Sequence, residues 1–146
     1  MTADPQDADV LALQAALAGE HAAVYAYAVI AGRGAAGSSV VELAREAYAA
    51  HRAGRDDLAR TLAARGESPV PTEPGYALPF AIDGSGTARR LARLVEDRCA
   101  VLHAAVVAVA TGQERALGAQ ALVGCAVRGL QWGAAPSAFP GVGETG

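Results

Sequence analysis

Large side chains are scarce in this chain of 146 residues. Aromatics make up 5% of it: one Trp, two Phe and four Tyr. Yet 52% of the residues are hydrophobic, much of that alanine, which supports a packed globule over disorder and lets helices approach closely. No basic stripe is present. The formal net charge is -3 and Arg, Asp and Glu are spread along the chain, so nucleic acid is not an expected partner. The opening MTADPQDADV is acidic and lacks the basic stretch and apolar run of a secretory signal. The most apolar run, Cys99 to Ala110, is about half the length that crosses a bilayer. The two cysteines are far apart in sequence and form no CxxC pair, which fits a reducing compartment. A cytoplasmic location away from membranes is the expectation. Gly-rich phosphate loops, nucleophile elbows and Cys-His pairs are also missing.

What is present is helical periodicity. Helices are expected over about 7–32, 38–65, 86–111 and 113–132, with a crossover at 66–85 and a tail at 133–146. Asp4, Asp7 and Asp9 favour the start of the first helix, and Gly32, Gly34 and Gly37 stop it. Ser38 or Ser39 caps the second, with Glu42 completing a capping box, and Gly66 ends it. Pro69, Pro71, Pro74 and Pro79 forbid helix in the crossover. Short turns make helices 1 and 2 one antiparallel hairpin and helices 3 and 4 another. The crossover, about 19 residues, reaches roughly 60 Å when extended, against about 40 Å for a helix of about 26 residues. It can travel the whole bundle. Two hairpins joined by one long crossover suit it better than simple up-down-up-down. Tyr76, Leu78 and Phe80 alternate with small residues, so the crossover is expected to pack on the helices. The tail's Trp132, Phe139 and Pro140 are expected to fold back.

Polar residues interrupt the apolar stripes. Val10, Leu13, Leu17, Glu20, Val24 and Tyr27 keep a 3-4-3-4-3 spacing, so Glu20 stands where a core residue belongs. His51, Glu96 and Arg128 do the same on the other helices. Counted from the turns, all four come within a few residues of one level, and Arg55 stands one helical turn after His51. A buried charge needs a partner. The leading expectation is therefore a neutralised network of Glu20, His51, Arg55, Glu96 and Arg128, with no catalytic residue and no cofactor. A single metal held by Glu20, His51 and Glu96 is one alternative. Phosphotransfer through His51 is another, from the weak echo His51-Arg52-Ala53-Gly54; Asp56 and Asp57 next to it would repel a phosphoryl group. His103 lies seven residues after Glu96, about two turns away. Cys99 and Cys125 share a level across the second hairpin, which makes them neighbours there, and they read first as small buried hydrophobes. Arg89, Arg90 and Arg93 read as a solvated face or a contact for a partner chain or anion.

The segments LQAALAGEHAAVYAYAVIAGR, AREAYAAHRAGRDDLARTLAARG, PGYALPF, ARRLARLVEDRCAVLHAAVVA and AVRGLQWGAAPSAFPG together resemble a small Ala-rich ferritin-like domain family from actinobacteria. The resemblance covers nearly the whole chain. It implies an all-α, ferritin-like four-helix bundle and no established activity. Ferritin-like relatives at large bind two irons, through a Glu on each of two helices and Glu-x-x-His on the other two. Here Glu46 and His51 are five apart on helix 2, and helix 4 carries Arg128 and no His, so that activity is not carried over. The alanine stripes leave apolar surface for a second copy, and a homodimer is the expected assembly.

Overall fold

The computed structural model describes residues 5–33 and 38–143. Four helices carry the fold: α1 (Pro5–Gly32), α2 (Ser38–Ala64), α3 (Ser85–Val109) and α4 (Gly112–Gln131). No strand occurs among the described residues, and the architecture is an all-α four-helix bundle. Asp4, Gly34 and Gly37, named above as start and stop signals, lie outside the described residues, as does the end of the tail from residue 144. Because α2 begins at Ser38, Ser39 sits inside its first turn and not ahead of it.

Sequence chemistry sets the other helix ends. Gly66 takes a φ of +80°, a conformation that a side chain disfavours. Its N–H donates to Ala63 O, and the Glu67 N–H donates to Leu62 O, both at 3.0 Å. These two bonds close α2 in a Schellman motif. At the start of α3 the Thr87 hydroxyl accepts the N–H groups of Asp83 (3.1 Å) and Gly84 (3.2 Å).

Buried side chains define the helix directions. At one end Leu13 and Leu17 of α1 pack with Leu58 and Leu62 of α2 and with Val106 of α3. At the other, Tyr27 and Ile30 pack with Val40 and Ala44, with Leu91 and Ala92, and with Trp132 just beyond α4. So α1 runs antiparallel to both α2 and α3, and α2 and α3 point the same way. The 65–84 crossover must then return along the full bundle. It does so along α1. The Gln14 side chain brackets it, donating to Ser68 O and accepting from Val70 N, both at 2.8 Å. His21 Nε2 meets Val70 O at 3.0 Å. Tyr76 packs on Tyr25 with ring centroids 5.5 Å apart, and Ile82 is buried in the upper cluster.

Alanines and glycines let α1 and α3 touch closely. A methyl group on Gly19 would collide with Leu102 of α3. The arginines at the start of α3 hold neighbouring parts: Arg90 lies over Phe80, Arg89 over Trp132, and Arg93 donates to Trp132 O at 3.1 Å. The tail folds back only in part. Gly141 presses on the Ala100 carbonyl and Trp132 is 1% exposed, whereas Phe139 is 74% exposed, contrary to its expected packing. Among the described residues no helix is long and apolar enough to cross a membrane.

Candidate functional site

The apolar stripes of the four helices place polar groups midway between the two main hydrophobic clusters. Glu20, His51, Glu96 and His103 are each at most 2% exposed. His51 is central. Its Nδ1 meets Glu20 Oε2 at 2.6 Å and its Nε2 meets Glu96 Oε1 at 3.1 Å. An ionised carboxylate only accepts, so a ring held between two of them carries a proton on each nitrogen. Burial alone would lower the His51 pKa, but the bonds to Glu20 and Glu96 outweigh it and raise it to about 9. Burial likewise opposes ionisation of Glu20, and the bonds from His103 and His51 win, bringing its pKa to about 2. Glu96 is also held below its ordinary value, against burial, by His51, Arg128 and Tyr27.

Two further donors converge on Glu96 Oε1: the Tyr27 hydroxyl at 2.6 Å and Arg128 Nε at 3.0 Å. Burial and the adjacent Glu96 push the Tyr27 pKa far up, so the phenol stays a donor. Its ring stacks on His51, with centroids 5.4 Å apart, and on Trp132 at 6.0 Å. Glu20 Oε1 receives His103 Nε2 at 2.6 Å. Gly54 of α2 faces this carboxylate, and a methyl group there would stand against it at contact distance, 3.4 Å. The Glu96 Oε2 and His103 Nδ1 atoms have no hydrogen-bond partner among the described residues.

Glu20, His51, Glu96 and Arg128 are thus in one bonded group, and Arg55 is not. Arg55 bonds Asp56 at 2.8–2.9 Å on the outside of α2, with 27% of its side chain exposed. Four residues along a helix advance about 40° beyond a full turn, and Asp56 offers a nearer partner in water. The four meet as their shared level implied, with the two acids offset from one another. Glu20 bonds His103 and Tyr27 bonds Glu96, so the acids are staggered along the axis and His51 spans the gap. Tyr27 and His103 were missing from the expected network. The signal was there: each stands seven residues after an acid on the same stripe, and antiparallel packing brings each to the other helix's acid. A phosphotransfer histidine must meet solvent, and His51 is 1% exposed. For a cation, the donor atoms that converge are those of Glu20, His51 and Cys99, all within 4.8 Å of one another; Cys99 takes the place expected for Glu96.

Residues 12–144 match the family described as Domain of unknown function (DUF4439). The chain belongs to that family. Its fold is similar to that of a conserved hypothetical protein, rv2844, from Mycobacterium tuberculosis, known from a crystal structure. The TM-score is 0.83 and the identity 35%, over 94% of this chain and 100% of that one. No curated protein matches the chain. The DUF4439 match takes in all the polar residues of the centre, from Glu20 to Arg128.

Proposed function

We propose that this DUF4439 chain is a non-enzymatic, ferritin-like domain whose centre holds itself together by charge compensation instead of a dinuclear metal centre. The crossover that makes α2 and α3 parallel supports the ferritin-like reading. The observation that carries the metal-free reading is the double engagement of His51, which uses both ring nitrogens as donors to carboxylates. In that state it has no lone pair for a metal. The donor set also fits a dinuclear centre poorly. The α4 position facing Glu96 carries the Arg128 cation, and Glu46 of α2 is exposed on the surface. Two carboxylates meet two cations, and the charges cancel without an ion.

The test is metal analysis of protein purified without chelator. Less than a tenth of an equivalent of iron, manganese or zinc is the expected result, on the order of adventitious occupancy. Stoichiometric metal that disappears in Glu20→Ala would defeat the reading. One observation favours a second reading, a single cation on Glu20, His51 and Cys99, whose donors already converge. That site requires His51 to lose a proton and release a carboxylate, so binding would strengthen as pH rises. For assembly, the reading includes a homodimer. Val123, Val127 and Leu130 follow one another along α4 at 62%, 50% and 48% exposure, an apolar stripe that a second copy would cover.

A further inference from the structure

Beside the charged centre lies a pair of thiols. Cys99 of α3 and Cys125 of α4 pack together with Ala23 and Ala100 in a small cluster, each at most 2% exposed and neither in a disulfide. Both side chains belong to that one buried cluster across the α3–α4 hairpin, and the Cys99 thiol donates to Gly19 O at 3.8 Å. Arg128 Nη2 donates to Cys125 Sγ at 3.6 Å. Cys125 also lines a cleft of about 390 Å3 between α3, α4 and the tail, together with Val101, Gly129, Leu130, Phe139 and Gly141. Cys99 lines a different, smaller cavity of about 130 Å3 between α1, α3 and the crossover. Two thiols in one buried cluster, one of them lining a cleft and held by an arginine, have a chemistry that packing does not require.

We propose that Cys99 and Cys125 are a dithiol that a small hydroperoxide, arriving through the cleft, oxidises to an intramolecular disulfide. Cys125 is the attacking sulfur, because it lines the cleft and Arg128 holds it. As a thiolate it forms a bond to one peroxide oxygen; the O–O bond breaks and the other oxygen leaves as an alcohol or water, taking up the thiol proton. Cys125 is then a sulfenic acid within reach of the Arg128 guanidinium. Cys99 attacks that sulfur, the S–S bond forms, and water leaves with the Cys99 proton. Two thiols lose two electrons and the peroxide gains them. The roles do not interchange. Cys99 instead meets the Gly19 carbonyl and lines only the smaller cavity, away from the arginine, which makes it the resolving sulfur.

The experiment treats the folded full-length chain with hydrogen peroxide, then unfolds it in the presence of an alkylating agent. The expected monomer has lost both alkylation sites and regains them after dithiothreitol. In Cys99→Ser a sulfenic acid accumulates at Cys125 and is trapped by dimedone, whereas Cys125→Ser yields no dimedone adduct at Cys99. Two alkylated thiols after peroxide treatment, disulfide only between separate chains, or equal trapping in both single variants would each overturn the proposal. If the variants do not fold, the wild-type rate decides. The proposal requires the disulfide to form in native protein at least as fast as in urea, and formation only on unfolding overturns it.

Discussion

Raising the pH should weaken this protein, and the size of the effect follows from His51. Its pKa rises from an ordinary 6.5 to about 9 in the fold. A gap of that size corresponds to about 3 kcal/mol of native-state preference for the proton. The folded value is the higher one, so the stabilisation is complete below pH 6.5 and drains away as pH climbs toward 9. Glu20 sets the opposite limit. Its pKa falls from 4.5 to about 2, so its stabilisation is present above 4.5 and lost as acid approaches 2. The two values describe the same bond from its two ends and are not added. Between them lies a plateau of greatest stability, from about pH 4.5 to 6.5. The neighbours keep their protonation states on the alkaline side: Glu96, shifted down, and Arg128, shifted up, stay charged, while Tyr27, shifted up, stays neutral. Urea unfolding at several pH values from 6 to about 9 measures the slope. His51→Gln, which cannot carry charge, should remove most of it. NMR of the wild-type ring supplies an independent reading if that variant is too unstable. A flat profile, or a His51 ring that loses its proton near 6.5, refutes the reasoning.

Arg128→Met should cost about 2 kcal/mol in urea unfolding. The loss is moderated because Glu96 keeps His51 and Tyr27 and because a fifth of the Arg128 side chain is exposed. A change below about 0.5 kcal/mol would mean that Arg128 does not compensate Glu96. By contrast, Arg55→Ala should stay within about 0.5 kcal/mol, as expected of a solvent-screened pair. Gly19→Ala should cost about 1 kcal/mol or less, since the only close atom its methyl meets is the rotatable end of Leu102; a loss above about 2 kcal/mol in urea unfolding would show that Leu102 cannot turn aside. Sedimentation should give a dimer that Val127→Glu turns into a monomer, and a wild-type monomer at high concentration would remove the α4 stripe from consideration.

Helices and topology were legible because they rest on local rules. Prolines exclude helix from the crossover, Gly66 supplies the left-handed stop, and the crossover's length permits a return along the whole bundle. Glu20, His51, Glu96 and Arg128 stood out because each breaks an apolar stripe. The partners were less legible. Tyr27 reads as an ordinary core residue and His103 lies about two turns from Glu96, so only the antiparallel register of α1 and α3 shows whom they meet. Arg55 misled for the reverse reason: its spacing from His51 was right, but a neighbouring aspartate at the surface competes for it. Phe139 is exposed although Gly141, two residues on, packs on the α3 backbone, and hydrophobicity alone does not decide which of them turns inward.

Each hairpin contains an acid and a base that bond one another without help from the other hairpin: Glu20 with His51 in the first, Glu96 with Arg128 in the second. The halves can therefore form and meet as electrically balanced pieces. Neither must bring an orphan charge into the closing interior, and the joining bonds, His51 to Glu96 and His103 to Glu20, appear only when the two come to rest against each other.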